Sequence, residues 1–408
     1  MRIRLLSCVL VPAIALVAPA VASADDFGGP VSVGDGVTID PIFDARLRYE
    51  TVSQDSQPDD SDAFTLRLRA GAQLAKDGFF LLAEAEGTLA LLADYNDTIA
   101  SNGIEPFPVV ADPDNVELNR LAIGYAKGGN SLTIGRQRIV LDNARFVGNV
   151  GWRQNEQTFD AVRGQAKIGP VSLDATYSAS QRTIFGADSP NEYFDGDIVL
   201  LNGGGKAGAV AIKAFAYLID YDTRLAFSSQ TYGLLASGTI PLAEKVKLSV
   251  SASYARQSDY GANPTSYDAD YLAASIDAGL GKLSLGLGYE ELGSDGGVAS
   301  FQTPLATLHA FNGWADLFLT TPNGGIRDKY ASLGAALGNV GPLKGLNAKI
   351  VYHDFDSDFG GLDYGDEWDA SLGMKVGKLG LLAKYARYDA DAFGTDTTKF
   401  WLQAEYAF

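Results

Sequence analysis

The stretch "GRQRIVLDNARFVGNVGWRQ" holds Arg136, Arg138, Arg145 and Arg153 within twenty residues of a chain whose formal net charge is -18. Guanidinium groups gathered this closely bind something negative, because each presents a planar fork of donors matched to carboxylate or phosphate oxygens. The partner is either an anion from outside or carboxylates of the same chain. In a soluble enzyme such a cluster would hold a phosphate or carboxylate substrate, so the scaffold that positions it has to be settled first.

The N-terminus, "MRIRLLSCVLVPAIALVAPAVASADD", opens with Arg2 and Arg4, runs apolar from Leu5 to Val21 and closes on Ala22-Ser23-Ala24. That is the pattern of a secretory signal peptide cut after Ala24. Pro12 and Pro19 interrupt the run, which is short for the roughly 20 residues of a membrane helix. No Pro/Ser-rich linker and no block of like charge divides the remainder, so the expected organisation is a signal peptide at 1–24 and a single domain at 25–408. Cys8, the only cysteine, departs with the signal and takes thiol chemistry with it. His309 and His353 stand far apart in no spaced ligand motif, so each is read as packed or hydrogen-bonded, and no metal or cofactor is expected. The acidic balance excludes general nucleic-acid binding.

The period of the sequence supplies the scaffold. In "AFTLRLRAGAQLA", Phe64, Leu66, Leu68, Ala70, Ala72 and Leu74 alternate with Thr65, Arg67, Arg69, Gly71 and Gln73, which makes a strand with one apolar and one polar face. "VKLSVSASYA" and "PVSLDATYSAS" repeat the pattern. These runs exceed the five or six residues typical of globular sheets, at roughly ten each, and suit tilted strands crossing a bilayer. Tyrosines recur near their ends, as an interfacial aromatic girdle requires. Short turns such as "KDG" at 76, "NGGGK" at 202 and "GK" at 281 alternate with long acidic connections such as "TVSQDSQPDDSD" at 51, and 293–326 is read as one long loop. Alternation of short and long connections is the rule in bacterial outer-membrane barrels. The fold class predicted is therefore all-β, a transmembrane antiparallel up-and-down barrel running from 38–50 to 399–408. Eighteen strands satisfy the parity; sixteen is the alternative count, because 131–141, 156–168 and 192–202 alternate imperfectly.

The last segment, "KFWLQAEYAF", carries Phe400, Leu402, Ala404 and Tyr406 at alternate positions and ends on Phe408. It resembles the terminal-aromatic signal read by the barrel-assembly machinery. The partners expected are outer-membrane lipid, that machinery through the Phe408 strand, and anionic small molecules or oligosaccharides, with no nucleic acid.

The arginines can now be placed. A charge on the lipid face at mid-membrane costs roughly 2–4 kcal/mol, so Arg46, Arg48, Arg67, Arg69 and Arg163 belong to the lumen, with Arg120 beside them. Between 135 and 154 the period fails, because Leu132 and Ile134 share a parity with Arg136 and Arg138. A bulge or a loop folded inward would reconcile them. Two roles fit such a wall: an electropositive constriction that selects anions, or bracing, in which the arginines pair with Asp44, Glu50, Glu84 and Glu86 across the lumen.

"LTIGRQRIVLDNARFVGNVGWRQNEQTFDAVRG" together with "FNGWADLFLTTPNGGIRDKYASLG" resembles the alginate-export family of Gram-negative outer-membrane barrels. The resemblance implies an eighteen-stranded barrel with an arginine-rich conduit, to which Arg136, Arg138, Arg145 and Arg153 would belong. The function expected is a porin-like channel for anionic solutes. The alternative is an exporter of an anionic polysaccharide such as alginate, which also needs a periplasmic plug or partner that these short turns do not supply. A third class, an outer-membrane enzyme such as a phospholipase, would need a Ser, His and Asn or Asp constellation near the lipid face. His353 shares the polar face with Asn347 and Lys349 instead, and no enzyme is expected.

Overall fold

A computed structural model describes residues 28–100 and 102–408, so the signal peptide expected at 1–24 lies outside the described residues. Eighteen long strands form the wall. They are β1 (Val37–Gln54), β2 (Ser61–Lys76), β3 (Phe79–Asp94), β4 (Asn115–Lys127), β5 (Asn130–Gln137), β6 (Thr158–Ile168), β7 (Val171–Arg182), β8 (Tyr193–Ala207) and β9 (Val210–Tyr221). The second half comprises β10 (Ser229–Ala243), β11 (Val246–Asp259), β12 (Asp268–Leu280), β13 (Leu283–Leu292), β14 (Ile326–Val340), β15 (Leu343–Asp356), β16 (Asp363–Val376), β17 (Leu379–Ala390) and β18 (Thr397–Ala407). Each pairs antiparallel with the next, and β1 pairs with β18 from Asp44↔Ala407 to Gln54↔Thr397, which closes the barrel. Eighteen, not sixteen, is the strand count.

The wall is inside-out relative to a soluble sheet. On β2, Arg67 is buried while Leu68 is 45% exposed, and Leu81, Ile123, Leu234 and Leu287 are likewise exposed on the outside. Such a surface is stable only against hydrocarbon. Aromatic residues rim both edges. At the short-turn edge Phe79 packs on Tyr125 at 4.7 Å and Phe43 on Phe408 at 5.4 Å. At the long-loop edge the hydroxyls of Tyr177, Tyr254 and Tyr289 donate to Asp197, Asp270 and Glu291.

Several boundaries differ from the sequence reading, three of them informatively. The "NGGGK" segment is strand rather than turn: β8 continues to Ala207 and the chain reverses at Gly208, whose φ is +64°. A side chain at Gly204 would meet the Ile212 carbonyl and Lys213, so that glycine serves close strand approach. In addition β5 ends at Gln137, short of 141, and β6 begins at Thr158 rather than 156, because the intervening chain turns into the lumen. The apolar core therefore lies inside the tube, where Phe215, Tyr217, Tyr271, Phe355 and Trp401 from the wall enclose Val147, Phe301, Leu305 and Phe318 from inward-folded chain.

Candidate functional site: a septum across the lumen

Residues 138–157, between β5 and β6, and 293–325, between β13 and β14, leave the wall and meet inside the barrel. Gly135 permits the first departure: its φ is +117° and the Leu121 carbonyl occupies the place of a side chain. The segments join through a parallel bridge of Val147 and Leu305, with Gly148 N donating to the Leu305 carbonyl at 2.8 Å and Thr307 N to the Ala144 carbonyl at 3.0 Å. Gln157 Nε2 donates to the carbonyls of Gly148 and Leu305 at 2.8 and 2.9 Å. The result is one septum spanning the tube.

An arginine anchors each side of it. Arg145 donates to Glu290 of β13 at 2.7 Å, to Thr303 Oγ1 at 3.1 Å and to Asn312 Oδ1 at 3.0 Å. Arg153 reaches Glu50 of β1 at 3.1 Å and Asp316 at 3.0 Å. Burial acts to lower the Arg153 pKa, but the carboxylates of Glu50, Asp112 and Asp316 outweigh it and raise the value. The wall answers in kind. Arg46 Nη1 donates to the carbonyls of Gly151 and Trp152 at 3.0 Å each, while Arg48 Nη2 donates to the Trp152 carbonyl at 2.6 Å and its guanidinium lies 4.0 Å over the Trp152 ring.

Trp152 in turn stacks on His309, with centroids 4.4 Å apart and planes 4° from parallel. Burial pushes the His309 pKa down to about 3, so the imidazole is neutral. Its Nδ1 lies 2.8 Å from Asp316 and its Nε2 2.6 Å from Lys384 Nζ. A carboxylate can only accept, so the ring proton sits on Nδ1, facing Asp316, and Nε2 accepts from Lys384 Nζ.

The other arginines form a paired ladder along β1 to β6. Arg67 pairs with Asp44 and, at 3.1 Å, with Glu405, which also holds Arg46 at 3.0 Å. Arg69 pairs with Glu86, and Arg138 Nε donates to Glu156 at 2.8 Å. Between Arg120 and Leu118 a bulge turns both Asn119 and Arg120 toward Glu84, at 2.7 and 2.6 Å. Arg163 pairs with Asp174 at 2.6 Å, toward the short-turn end. Arg136 stands apart: it grips Asp160 at 2.8 and 2.9 Å on the face it shares with the exposed Leu132 and Ile134. All four carboxylates named from sequence thus meet arginines. Glu156, Asp316 and Glu405 were missed, although Glu156 lies in the arginine-rich motif itself and Glu405 alternates with Gln403 on the polar face of the last strand. Asp112 lies in a connection without period, which gave no signal.

Open space remains on both sides of the septum. A cavity of about 460 Å³ at the long-loop end is floored by Arg153, His309, Asp316 and Lys399. Below it are spaces of about 220 Å³ beside Glu290, Asp328 and His353, and about 340 Å³ beside Arg163, Asp174 and Lys213. The second histidine, His353, sits in the lumen 2.9 Å from Asp328.

Fold and site together define a transmembrane β-barrel divided by its own inward-folded chain. Residues 43–225 match the alginate-export family, so the family resemblance carried by residues 132–164 holds across the arginine half of the barrel. No curated protein matches the chain in sequence. Among solved structures, Pseudomonas aeruginosa OccK9 (OpdG) is similar with a TM-score of 0.70 at 16% identity, over 91% of this chain and 98% of that one. Acinetobacter baumannii OccAB3 gives a TM-score of 0.70 at 15% identity, over 91% and 99%. Pseudomonas aeruginosa OccK2 (OpdF) gives 0.68 at 17%, over 91% and 97%. At such identities the likeness is one of fold.

Proposed function

We propose that the barrel is an outer-membrane channel for small anionic solutes, which enter from the long-loop side and pass the septum along the arginine wall of β1 to β6. One observation carries this reading. Arg46 Nε, Arg48 Nη1, Arg67 Nε and Nη1, and Arg69 Nη2 are buried N–H donors that meet no hydrogen-bond acceptor among the described residues. Donors left over in a low-dielectric lumen favour an anion or water as acceptor, because an unmet buried donor is costly. The ion pairs brace the wall, and the surplus donors give it anion affinity. Arg46, Arg48, Arg67, Arg69, Arg120, Arg138, Arg145, Arg153 and Arg163 are the residues assigned to this path.

The family match favours a second reading, export of an anionic polysaccharide. The septum weighs against it, since chain from 138–157 and 293–325 crosses the tube and joins at Val147 and Leu305, while a polymer needs a wide bore. Planar-bilayer recording of the purified protein in a KCl gradient tests the channel reading. The expected reversal potential is that of an anion-preferring pore; a cation preference would sink it.

A further inference from the structure

Arg224 breaks the rule that the other arginines obey. Each other described arginine forms at least one ion pair, whereas Arg224 forms none and donates no hydrogen bond among the described residues. It follows β9 and precedes a single 3-10 turn, Leu225–Phe227. Its guanidinium lies 3.9 Å over the ring of Phe227 and 4.8 Å over that of Phe194. Two aromatic faces fix the orientation of the cation yet leave its N–H edges free for an acceptor.

Arg224 lines the outer cavity of about 460 Å³, and much of the surrounding wall is apolar: Ile184, Phe185, Phe194, Phe227, Pro304 and Leu317. The other charged groups on that cavity are committed to one another, since Arg153 and Lys399 hold Asp316 at 3.0 and 3.3 Å. An entering solute therefore meets one uncommitted cation set in hydrocarbon. Pockets of this size, apolar with one or a few convergent polar groups, bind small molecules by burying the body and orienting the head.

We propose that Arg224, Phe194 and Phe227 form a capture site for an amphiphilic monoanion, a single carboxylate on a hydrocarbon body, at the outer mouth. The site's role as an entry station rests on the channel reading; its existence does not. A carboxylate would pair with the free edge of Arg224 while its hydrocarbon part covers the apolar wall. Solutes with many charges gain little there, because one cation cannot match them and the walls desolvate the rest.

Isothermal titration of the detergent-solubilised barrel with hexanoate, acetate and hexanol separates the contributions. Hexanoate is expected to bind more tightly than either control. Arg224→Gln should weaken hexanoate about ten-fold or more, the scale of a charge-assisted hydrogen bond, and Arg224→Lys should restore part of it. Phe227→Ala should weaken hexanoate and leave acetate unchanged. Gel mobility before boiling confirms that each variant is closed. Equal affinity of Arg224→Gln and wild type, or of acetate and hexanoate, would overturn the site. Hexanoate binding that depends on Arg224 in a barrel without anion preference would keep the site and remove the channel reading.

Discussion

The lumen has two unlike walls. Along β1 to β6 it is crowded with guanidinium and carboxylate groups that hold the septum. Across β8 to β12, Ala211, Ser237, Thr239, Ser249 and Ser251, together with Lys206 and Asp277, border a cavity of about 560 Å³ toward the short-turn end. Charge is densest where inward chain must be fixed, and mostly small neutral side chains, with Lys206 and Asp277 the only charges among them, border this open part of the bore. On the proposed channel reading, selectivity and capacity come from different staves of one barrel, and substitutions on the two walls should have different signatures.

The largest effect is expected from Arg138→Glu combined with Arg145→Glu. Arg145→Glu sets a second carboxylate against the buried Glu290, and breaking one partner of such a pair costs roughly 3–5 kcal/mol. The septum should loosen, conductance should rise, and anion preference should be abolished or inverted. The comparison variant changes Asp59 and Asp60, both exposed in the first outer connection, to Asn. A larger shift in reversal potential from that outer variant would place the selective region elsewhere.

Arg67→Ser with Arg69→Ser should have an intermediate effect. It leaves Asp44 and Glu86 without their arginines, so the wall turns locally negative and anion preference should fall while conductance changes little. Heat-modifiable gel mobility should persist, since the substitutions fall on the lumen face. Unchanged selectivity would assign these residues to bracing alone.

Acidification should act on the septum more gently. His309 is buried neutral with a pKa lowered to about 3, and burial also sets Asp316 among cations that hold its pKa well below the ordinary carboxylate value. For both groups the folded value is the lower one, so their stabilisation is complete at neutral pH. The His309 part is lost as pH falls from about 6.5 toward 3, because the released imidazole binds a proton that the packed one refuses. Conductance should therefore climb between pH 7 and pH 4 in wild type, and His309→Phe should flatten the climb.

Thr239→Val with Ser249→Ala should do least. The two hydroxyls hydrogen-bond to each other at 3.0 Å, exposed on the lumen face, and make no other side-chain hydrogen bond among the described residues. Stability should move by less than about 0.5 kcal/mol and the reversal potential not at all. A measurable selectivity change would mean that the neutral wall also reads charge.

The barrel was legible from sequence because lipid outside and water inside impose period two on every strand, and turn length alternates with it. Arg67 and Arg69 could be faced inward from Leu66 and Leu68 alone. Asp44 and Glu86 could be named as their partners, and Glu84 as a partner for Arg120, because parity is shared across neighbouring strands. The septum was only partly legible. Broken parity at Arg136 and Arg138 marked the place where the wall ends, yet both inward segments lack any period, so their meeting at Val147 and Leu305 left no trace. Gly313 shows the same limit: its φ of +84° and its packing against Glu367 depend on a strand that lies far along the chain. Arg224 was equally silent, because being unpaired is a property of the assembled cavity.

The pairing of β1 with β18 has a consequence for biosynthesis. On one edge, eleven residues of the first strand, Asp44 to Gln54, find their partners only in the last strand of the chain, Thr397 to Ala407. Until that strand arrives, the sheet has two raw edges whose N–H and C=O groups cannot be left in hydrocarbon. A product truncated anywhere before residue 397 therefore lacks a stable membrane-embedded form, and completeness of translation is checked by geometry at the seam.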